Sequence, residues 1–585
     1  MAPSSFLFNF KREFERIVLT SHSIASETPF PLVIMANYLN RLGFIDSINA
    51  RIPCSPIHCK YSPGILAQLL VLVPFIPSHH RIALFSISRV YEKMNLELLT
   101  GHKTDPLTEN EITPDELNDD MFGRFLENLH EYGCKKLFHD FAVTVRTTFS
   151  LPASYVFHSD TTSHVLYGEY RSDDENEVPA LRVTYGHSKD KRNDLKQIMT
   201  GMVTDGDGLP LFSIPLDGNF SDSVWNEMMI SLLHEVYGPE FTKHTYIADS
   251  KVVNKKNILR LVQGDFPIPF ISRLPQNFHS KLSETMKYKA YEQNKWDYLG
   301  TCCAHTPDTH AAVYYASLIP VTVYGFDMYV HVYKTTEKRA KIEKMVAKEH
   351  SALTAELEDI CKRKFFCEED AACEMNLFLS SHSHLMIEAE LEVVQEVERK
   401  RPRGRPGKKP KPLQEIIRWR IEKLGITRKS EKIEHEIEKA STFCLITNVD
   451  PAKQSSRETL LLYKGQGHVE RQFSILKRPV MAATIFLKKP ERIEALMTMI
   501  YFGVLLHGIL QVISRIELEK EEKPPRWGKE RRPLVRPTSD AMLEILEEFK
   551  VVWREEEIMI EAKNNEMAKD LSKILRVIRF DPAYM

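Results

Sequence analysis

The chain has 585 residues, with Lys+Arg 78 against Asp+Glu 80 and a formal charge of −2. Apolar residues make up 43% and charged residues 27%, the balance of a folded chain, which excludes a disordered, collagen-like or mucin-like one. The length corresponds to roughly four domains, and the near-neutral charge leaves a nucleic-acid partner to be argued from local clusters. Nine cysteines are too sparse for a disulfide scaffold. Cys54-x3-His58-Cys59 is a compact soft-ligand group without a second pair at zinc-finger spacing, so reduced thiols in a reducing compartment are expected.

In chain order, Met1 to Leu19 mixes Lys11, Arg12, Glu13, Glu15 and Arg16 into its apolar positions. That is an amphipathic helix rather than a signal peptide. Helical spacing recurs over Phe30 to Phe44, Ser62 to Val73, Ile82 to Leu98 and Asp119 to Phe141, so 1–147 reads as an all-helical N-terminal domain. From Tyr155 the texture turns β-rich: Tyr155 to His158, Leu195 to Val203 and Leu209 to Leu216. The last two flank TDGDG (Thr204 to Gly208), a hairpin signal. A helix over Ser223 to Val236, a strand over Lys243 to Ala248 and a helix near Asn254 to Val262 follow. Together 148–275 has the rhythm of an α/β sheet with mixed strand directions.

The stretch 276–440 reads as an interruption. It has a β-rich run over Thr309 to Tyr333, a charged helix from Thr335 to about Lys364 and a second helix near Ser383 to Arg399. A basic linker follows at 399–412, and within it Pro402-Arg-Gly-Arg-Pro406 has the form of an AT-hook core. Arg403 and Arg405 would lie along a narrow minor groove, or the segment is a solvated basic tether. A strand at Thr442 to Thr447 and helices around Glu470 and Ile500 fill 441–515. The charged tail, 516–585, reads as helical over Ser539 to Arg554 and Ile558 to Ile578. Ala495 to Ile513 carries no formal charge and is long enough to span a bilayer. It holds Thr498, His507, Gln511 and two glycines and stands alone, so a buried core helix with no membrane partner is expected.

Three acidic residues are candidates for chemistry. Asp160 follows the apolar run Tyr155 to Phe157, and Asp249 ends Tyr246-Ile247-Ala248. A carboxylate past the end of a buried strand needs a cation or a donor, which suits a hard metal ion; helix capping or turn formation is the alternative. In Tyr463-x2-Gln466-x3-Glu470-x6-Lys477 a helix would bring all four side chains within roughly 60° of one another. Such a face would offer a carboxylate to metal and a cation to phosphate, or it is an ordinary solvated face. Trp296 is a candidate for stacking on an unpaired base, with packing as the alternative. Lys189 and Arg192, with Lys191 and Lys196 nearby, are candidate DNA contacts or plain surface charges.

The segment TYGHSKDKRNDLKQ (Thr184 to Gln197), continuing through Gly208-Leu-Pro210 and Gly218-Asn-Phe-Ser-Asp222, closely resembles the DDE transposases of bacterial and archaeal insertion sequences. The match is to the insertion-sequence-four superfamily, in the group with a helical N-terminal domain and a large insertion before the catalytic Glu. Tyr463, Gln466, Glu470 and Lys477 have the spacing of that superfamily's Tyr, Arg, Glu and Lys signature, with Gln466 where most members have Arg. The resemblance covers most of the chain, including the region around Leu117 to Leu126, and fades after about Arg515.

The resemblance implies an RNase H-like mixed sheet interrupted by a β/α insertion, with Asp160, Asp249 and Glu470 ligating two Mg2+ ions and Mn2+ able to substitute. It implies double-stranded DNA partners, both transposon ends and target, bound by a homodimer in a prokaryotic cytoplasm at the nucleoid. The N-terminal helices would bind terminal inverted repeats, Tyr463, Gln466 and Lys477 would contact DNA, and the insertion would shield the cleaved end. Two other readings stay open: an RNase H-like DNA nuclease without strand transfer, and a non-catalytic domesticated DNA-binding protein.

Overall fold

A computed structural model describes residues 26–77, 83–168, 170, 181–263, 267–279, 281–302, 312–400, 413–478, 487–527, 533–554, 557–563 and 565–585. The expected helix at the extreme N-terminus and the AT-hook-like core with Arg403 and Arg405 lie outside them. The chain divides into two compact units. One comprises Met1–Pro275, Thr322–Asp327 and Thr447–Met585; the other comprises Gln276–Val321 and Met328–Ile446.

The first unit opens with β1 (Ser26–Pro29), α1 (Phe30–Arg41), α2 (Phe44–Asn49), α3 (Pro63–Leu72), α4 (Ile87–Tyr91), α5 (Leu96–Thr100), α6 (Asp119–Tyr132) and α7 (Cys134–Thr148). Two of the long helices expected here are split at a glycine. Gly43 (φ 61°) and Gly133 (φ 111°) take left-handed conformations that a side chain resists. The expected helix at 82–98 is two short ones, α4 and α5. Asn95 starts the second by accepting the Leu98 N–H.

Next come β2 (Val156–Leu166), β3 (Lys196–Asp205), β4 (Pro210–Leu216), α8 (Asp222–Tyr237), β5 (Thr245–Ala248), α9 (Lys255–Val262) and β6 (Phe270–Arg273). The strands lie in the order β4-β3-β2-β5-β6. The first three are antiparallel, and β2, β5 and β6 run parallel. The hairpin signal at TDGDG therefore joins β3 to β4. Helix α8 docks on this sheet through Trp225, whose Nε1 donates to Ser159 Oγ at 2.9 Å. Its ring lies against Gly201, where any Cβ would overlap the indole. β3 needs glycine at that point because the helix approaches so closely.

The second unit contains α10 (Leu282–Gln293), β7 (Asp297–Thr301), β8 (Val313–Val323), β9 (Phe326–Thr335), α11 (Glu337–Ile360), α12 (Glu368–Ser381), β10 (Ile387–Lys400), β11 (Gln414–Arg428), α13 (Ser430–Ser441) and β12 (Thr442–Thr447). Its sheet order is β12-β9-β8-β7. The helix expected at 383–399 is instead strand β10, paired antiparallel with β11 from Ile387↔Arg428 to Lys400↔Gln414. Val393, Val394 and Val397 favour the pleated strand over a helix. Ile387, Ala389 and Ile421 pack with Ile342, Val346, Leu353 and Leu357 of α11 in one core.

The chain then completes the first unit with α14 (Ser456–Lys464), α15 (Gly467–Leu476), α16 (Pro490–Glu519), α17 (Ser539–Leu546), β13 (Phe549–Arg554), β14 (Glu557–Ala562) and α18 (Asn565–Val577). The apolar run at 495–513 lies within α16, whose most apolar window is 100% buried although by length and composition it could cross a membrane. It packs on α3, α6, α7, β4 and α17, and Tyr501 Oη meets Thr200 Oγ1 of β3 at 2.8 Å. The tail differs from expectation. β13 and β14 pair antiparallel and add to β1, giving the order β1-β13-β14, because Phe549-Lys-Val-Val-Trp is rich in β-branched and aromatic residues. Phe30 meets Phe549 edge-on at 5.9 Å, and Tyr38 Oη donates to the Ile578 carbonyl at 2.6 Å. The buried apolar residues described within 30–147 and 516–585 thus share one core with those of the sheet rather than standing apart.

Gly201→Ala should destabilise the protein by about 1–3 kcal/mol, the usual cost of overpacking a tight contact. Denaturant unfolding of the two proteins checks it; an unchanged midpoint would mean that the indole moves aside freely.

Candidate functional site

The site begins with strand register. β2 and β5 are parallel partners from Val156↔Thr245 to Ser159↔Ala248. The next residue on each chain is an aspartate, Asp160 and Asp249, so the two carboxylates belong to neighbouring strands at one level, where strands lie about 4.8 Å apart. Asp249 follows the end of β5, as expected, and caps a 3-10 turn by accepting the Lys251 N–H at 2.9 Å. Asp160 does not end its strand. β2 continues to Leu166 because β3 still pairs with it there, so Asp160 is a strand end on the β5 side only. Its Oδ1 accepts the Thr161 N–H at 2.8 Å.

Burial pushes the Asp160 carboxyl up to about 6, and the charges of Asp249 and Asp222 push the same way while Lys189 opposes them. Asp249 is raised for the same first reason, burial, with Asp222 adding to it. Asp222 did not stand out in the sequence, where it reads as an acidic first-turn residue of α8. In the fold its Oδ1 accepts the Thr161 hydroxyl and its Oδ2 lies 3.7 Å from Lys189 Nζ. The signal was the segment Gly218 to Asp222 itself, whose Ser221 caps α8.

Lys189 is a working part of this cluster rather than a plain surface charge. Its Nζ donates to the Thr161 carbonyl at 2.6 Å and to Thr161 Oγ1 at 3.1 Å, and lies 3.5 Å from Asp160 Oδ1. Its backbone N–H donates to Ser163 Oγ at 2.9 Å. The loop that carries it is pinned where Gly186 and Gly218 meet: a Cβ at Gly186 would overlap the Gly218 carbonyl, and one at Gly218 would overlap that of Gln197. Gln197 Nε2 also donates to the Gly218 carbonyl at 2.6 Å. Arg192, by contrast, is exposed and forms a two-pronged pair with Asp194 at 2.8 Å.

Helices α14 and α15 supply the second half. They are separate helices joined at Gly465-Gln466, not the single face expected from Tyr463 to Lys477. Gly465 is required because a Cβ there would strike the His158 ring. Gln466 is buried and its Nε2 donates to the Ser159 carbonyl at 2.9 Å, so its amide holds the helix junction onto β2 instead of facing DNA. That bond ends one residue from Asp160. The Tyr463 phenol feels the charges of the set. Burial raises its phenol, Arg273 lowers it, and Asp249, Glu470 and Asp160 each raise it.

Glu470 lies on the exposed side of α15 and makes no ion pair among the described residues. Lys477 Nζ pairs with Asp190 Oδ1 at 2.7 Å, beside Lys189. Trp296 belongs to the second unit, half-buried against Tyr291 with ring centroids 5.2 Å apart.

The donor chemistry suits a hard cation. Two aspartates on adjacent strands, with Asp160's carboxyl raised by burial and like charge, are relieved by positive charge between them. Among the described residues, however, no three or more His, Cys, Asp or Glu side chains stand together closely enough to hold a metal ion. Strand register sets Asp160 and Asp249 side by side, while Glu470 is carried separately by α15.

Residues 31–143 match a family described as "Domain of unknown function (DUF4277)". No curated protein matches the sequence. A solved structure described as "Cryo-EM structure of piggyBac transposase synaptic complex with hairpin DNA (SNHP)" is similar with a TM-score of 0.36 at 10% sequence identity, over 89% of this chain and 82% of that chain. At that level the likeness defines neither fold nor activity.

The Asp160 shift has a pH consequence. A carboxyl raised from 3.8 to about 6 by folding contributes stability that is fully present below the unfolded value and lost as pH rises through about 6. Asp160→Asn cannot ionise, so in metal-free buffer it should match the wild type near pH 4 and exceed it at pH 7.5 by on the order of 1–3 kcal/mol. Thermal unfolding across that range measures it; a variant less stable at pH 7.5 would contradict the repulsion.

Proposed function

We propose that the chain is a transposase of the insertion-sequence type, cutting DNA at transposon ends and joining them to target DNA. The observation that carries this reading is the register that sets Asp160 beside Asp249, on a strand that Gln466, four residues before Glu470, also reaches through its bond to Ser159. The strand order, an antiparallel β4-β3-β2 continued by parallel β5 and β6, supports an RNase H-like core. Asp160 and Asp249 would hold divalent metal, two Mg2+ or Mn2+ ions, with Glu470 as the third carboxylate from α15. Such ions supply charge stabilisation to the entering and leaving oxygens of an in-line displacement at phosphorus.

The protein's own groups have definable parts in this reading. The Gln466 side-chain amide on the Ser159 carbonyl and the close approach of Gly465 to the His158 ring fix α15 against β2, and with it the placement of Glu470. Tyr463, its phenol raised, stays protonated at neutral pH and can donate a hydrogen bond to a phosphate oxygen. Lys477 is held near the site by Asp190. The basic linker with Arg403 and Arg405 would add affinity for the DNA backbone. Binding of terminal inverted repeats by the N-terminal helices, a homodimer on paired ends and a prokaryotic cytoplasmic setting belong to the same reading.

Glu470→Gln keeps volume and helix propensity nearly constant while removing the negative charge. It should lower both cleavage of end-containing DNA and joining of a pre-cut end by several orders of magnitude, with DNA binding in a gel-shift assay retained. Near-normal joining by the variant would remove Glu470 from the reading. Cleavage without joined products by the wild type would leave a nuclease.

A further inference from the structure

The ammonium of Lys189 stands where the negative charge of the cluster is greatest. It is 3.5 Å from Asp160 Oδ1 and 3.7 Å from Asp222 Oδ2, and it is anchored by the Thr161 carbonyl at 2.6 Å. The backbone beneath it is fixed by Ser163 and by the Gly186–Gly218 contact, while a third of the side chain is exposed. Resting on the reading of Asp160 and Asp249 as a metal pair, we infer that Lys189 is a tethered counter-ion that competes with divalent metal for Asp160. In the metal-free protein the ammonium supplies the positive charge that the aspartates require. An ion entering against Asp160 meets that charge at close range, so the ammonium must swing out along its stem or the ion binds more weakly.

The loop that carries Lys189 then sets the threshold for metal loading. Lys477 adds to this control, because its bond to Asp190 ties the C-terminal end of α15 to the residue next to Lys189. No other described ion pair reaches Asp160, so removing this one cation leaves both carboxylates open to a substitute.

Calorimetric titration of the full-length protein with Mn2+ tests the inference without reference to DNA activity. Lys189→Met keeps the stem and removes the charge, and should bind Mn2+ about tenfold more tightly than the wild type, a difference of about 1.4 kcal/mol. Lys189→Arg, which keeps the charge, should stay near the wild-type affinity, and circular dichroism checks that both variants fold. Asp160→Asn separates the two levels of the argument. If binding depends on Asp160 yet Lys189→Met is no tighter, the counter-ion role is wrong and the metal pair stands. If neither wild type nor Lys189→Met binds Mn2+ through Asp160, the metal pair and the counter-ion role both fall.

Discussion

The structure around the site depends on one constraint: the parallel pairing of β2 and β5 ends one residue before an aspartate on each strand. Two carboxylates at one level of a buried sheet repel each other, and the fold accepts that repulsion rather than avoiding it. Backbone N–H groups of Thr161 and Lys251 bind one oxygen of each, and Lys189 supplies the opposite charge. Each bond offsets part of the cost and none removes it, as the raised Asp160 carboxyl records.

Distant parts of the chain converge on the same few residues of β2. Ser159, next to Asp160, receives the Trp225 indole on its hydroxyl and the Gln466 amide on its carbonyl. The first bond fixes α8 and therefore Asp222; the second fixes α15 and therefore Glu470. Glycines make both approaches possible, Gly201 beneath the indole and Gly465 beside His158. The long apolar helix α16 supports this from below, closing the core of the first unit against β4 and the N-terminal helices. The uncharged run 495–513 within it is buried in protein.

Much of this was legible wherever the signal is local. The TDGDG turn, the α8 and α9 periodicities and the strand at Thr442 to Thr447 follow from propensity and turn chemistry. The failures share a cause. β10 was read as a helix because glutamates alternate with apolar residues in a run that satisfies either period, and its partner β11 lies beyond a basic segment. The β13–β14 hairpin reads as helical in the sequence because its third strand, β1, is at the other end of the chain. Asp160 looked like a strand end because the extent of β3 pairing is a tertiary fact. Lys189 reads as a candidate DNA contact or a surface charge, and Asp222 carries no role of its own in the sequence, because their meeting at Thr161 is a tertiary fact. Gln466 reads as a candidate DNA contact on an outward helix face because nothing in the sequence reveals that α14 and α15 press onto β2. Asp160, Asp249 and Glu470 carried recognisable strand and helix contexts; their separation into a pair and a neighbour did not.

The central claim is that Asp160 and Asp249 form a divalent cation site created by strand register. Anomalous diffraction from crystals soaked in Mn2+ tests it most directly. The account predicts a manganese peak bonded to oxygens of both Asp160 and Asp249, at the roughly 2.0–2.2 Å typical of small hard cations. A manganese-loaded crystal with no peak between these two carboxylates, or with its peak held by other residues, would contradict it.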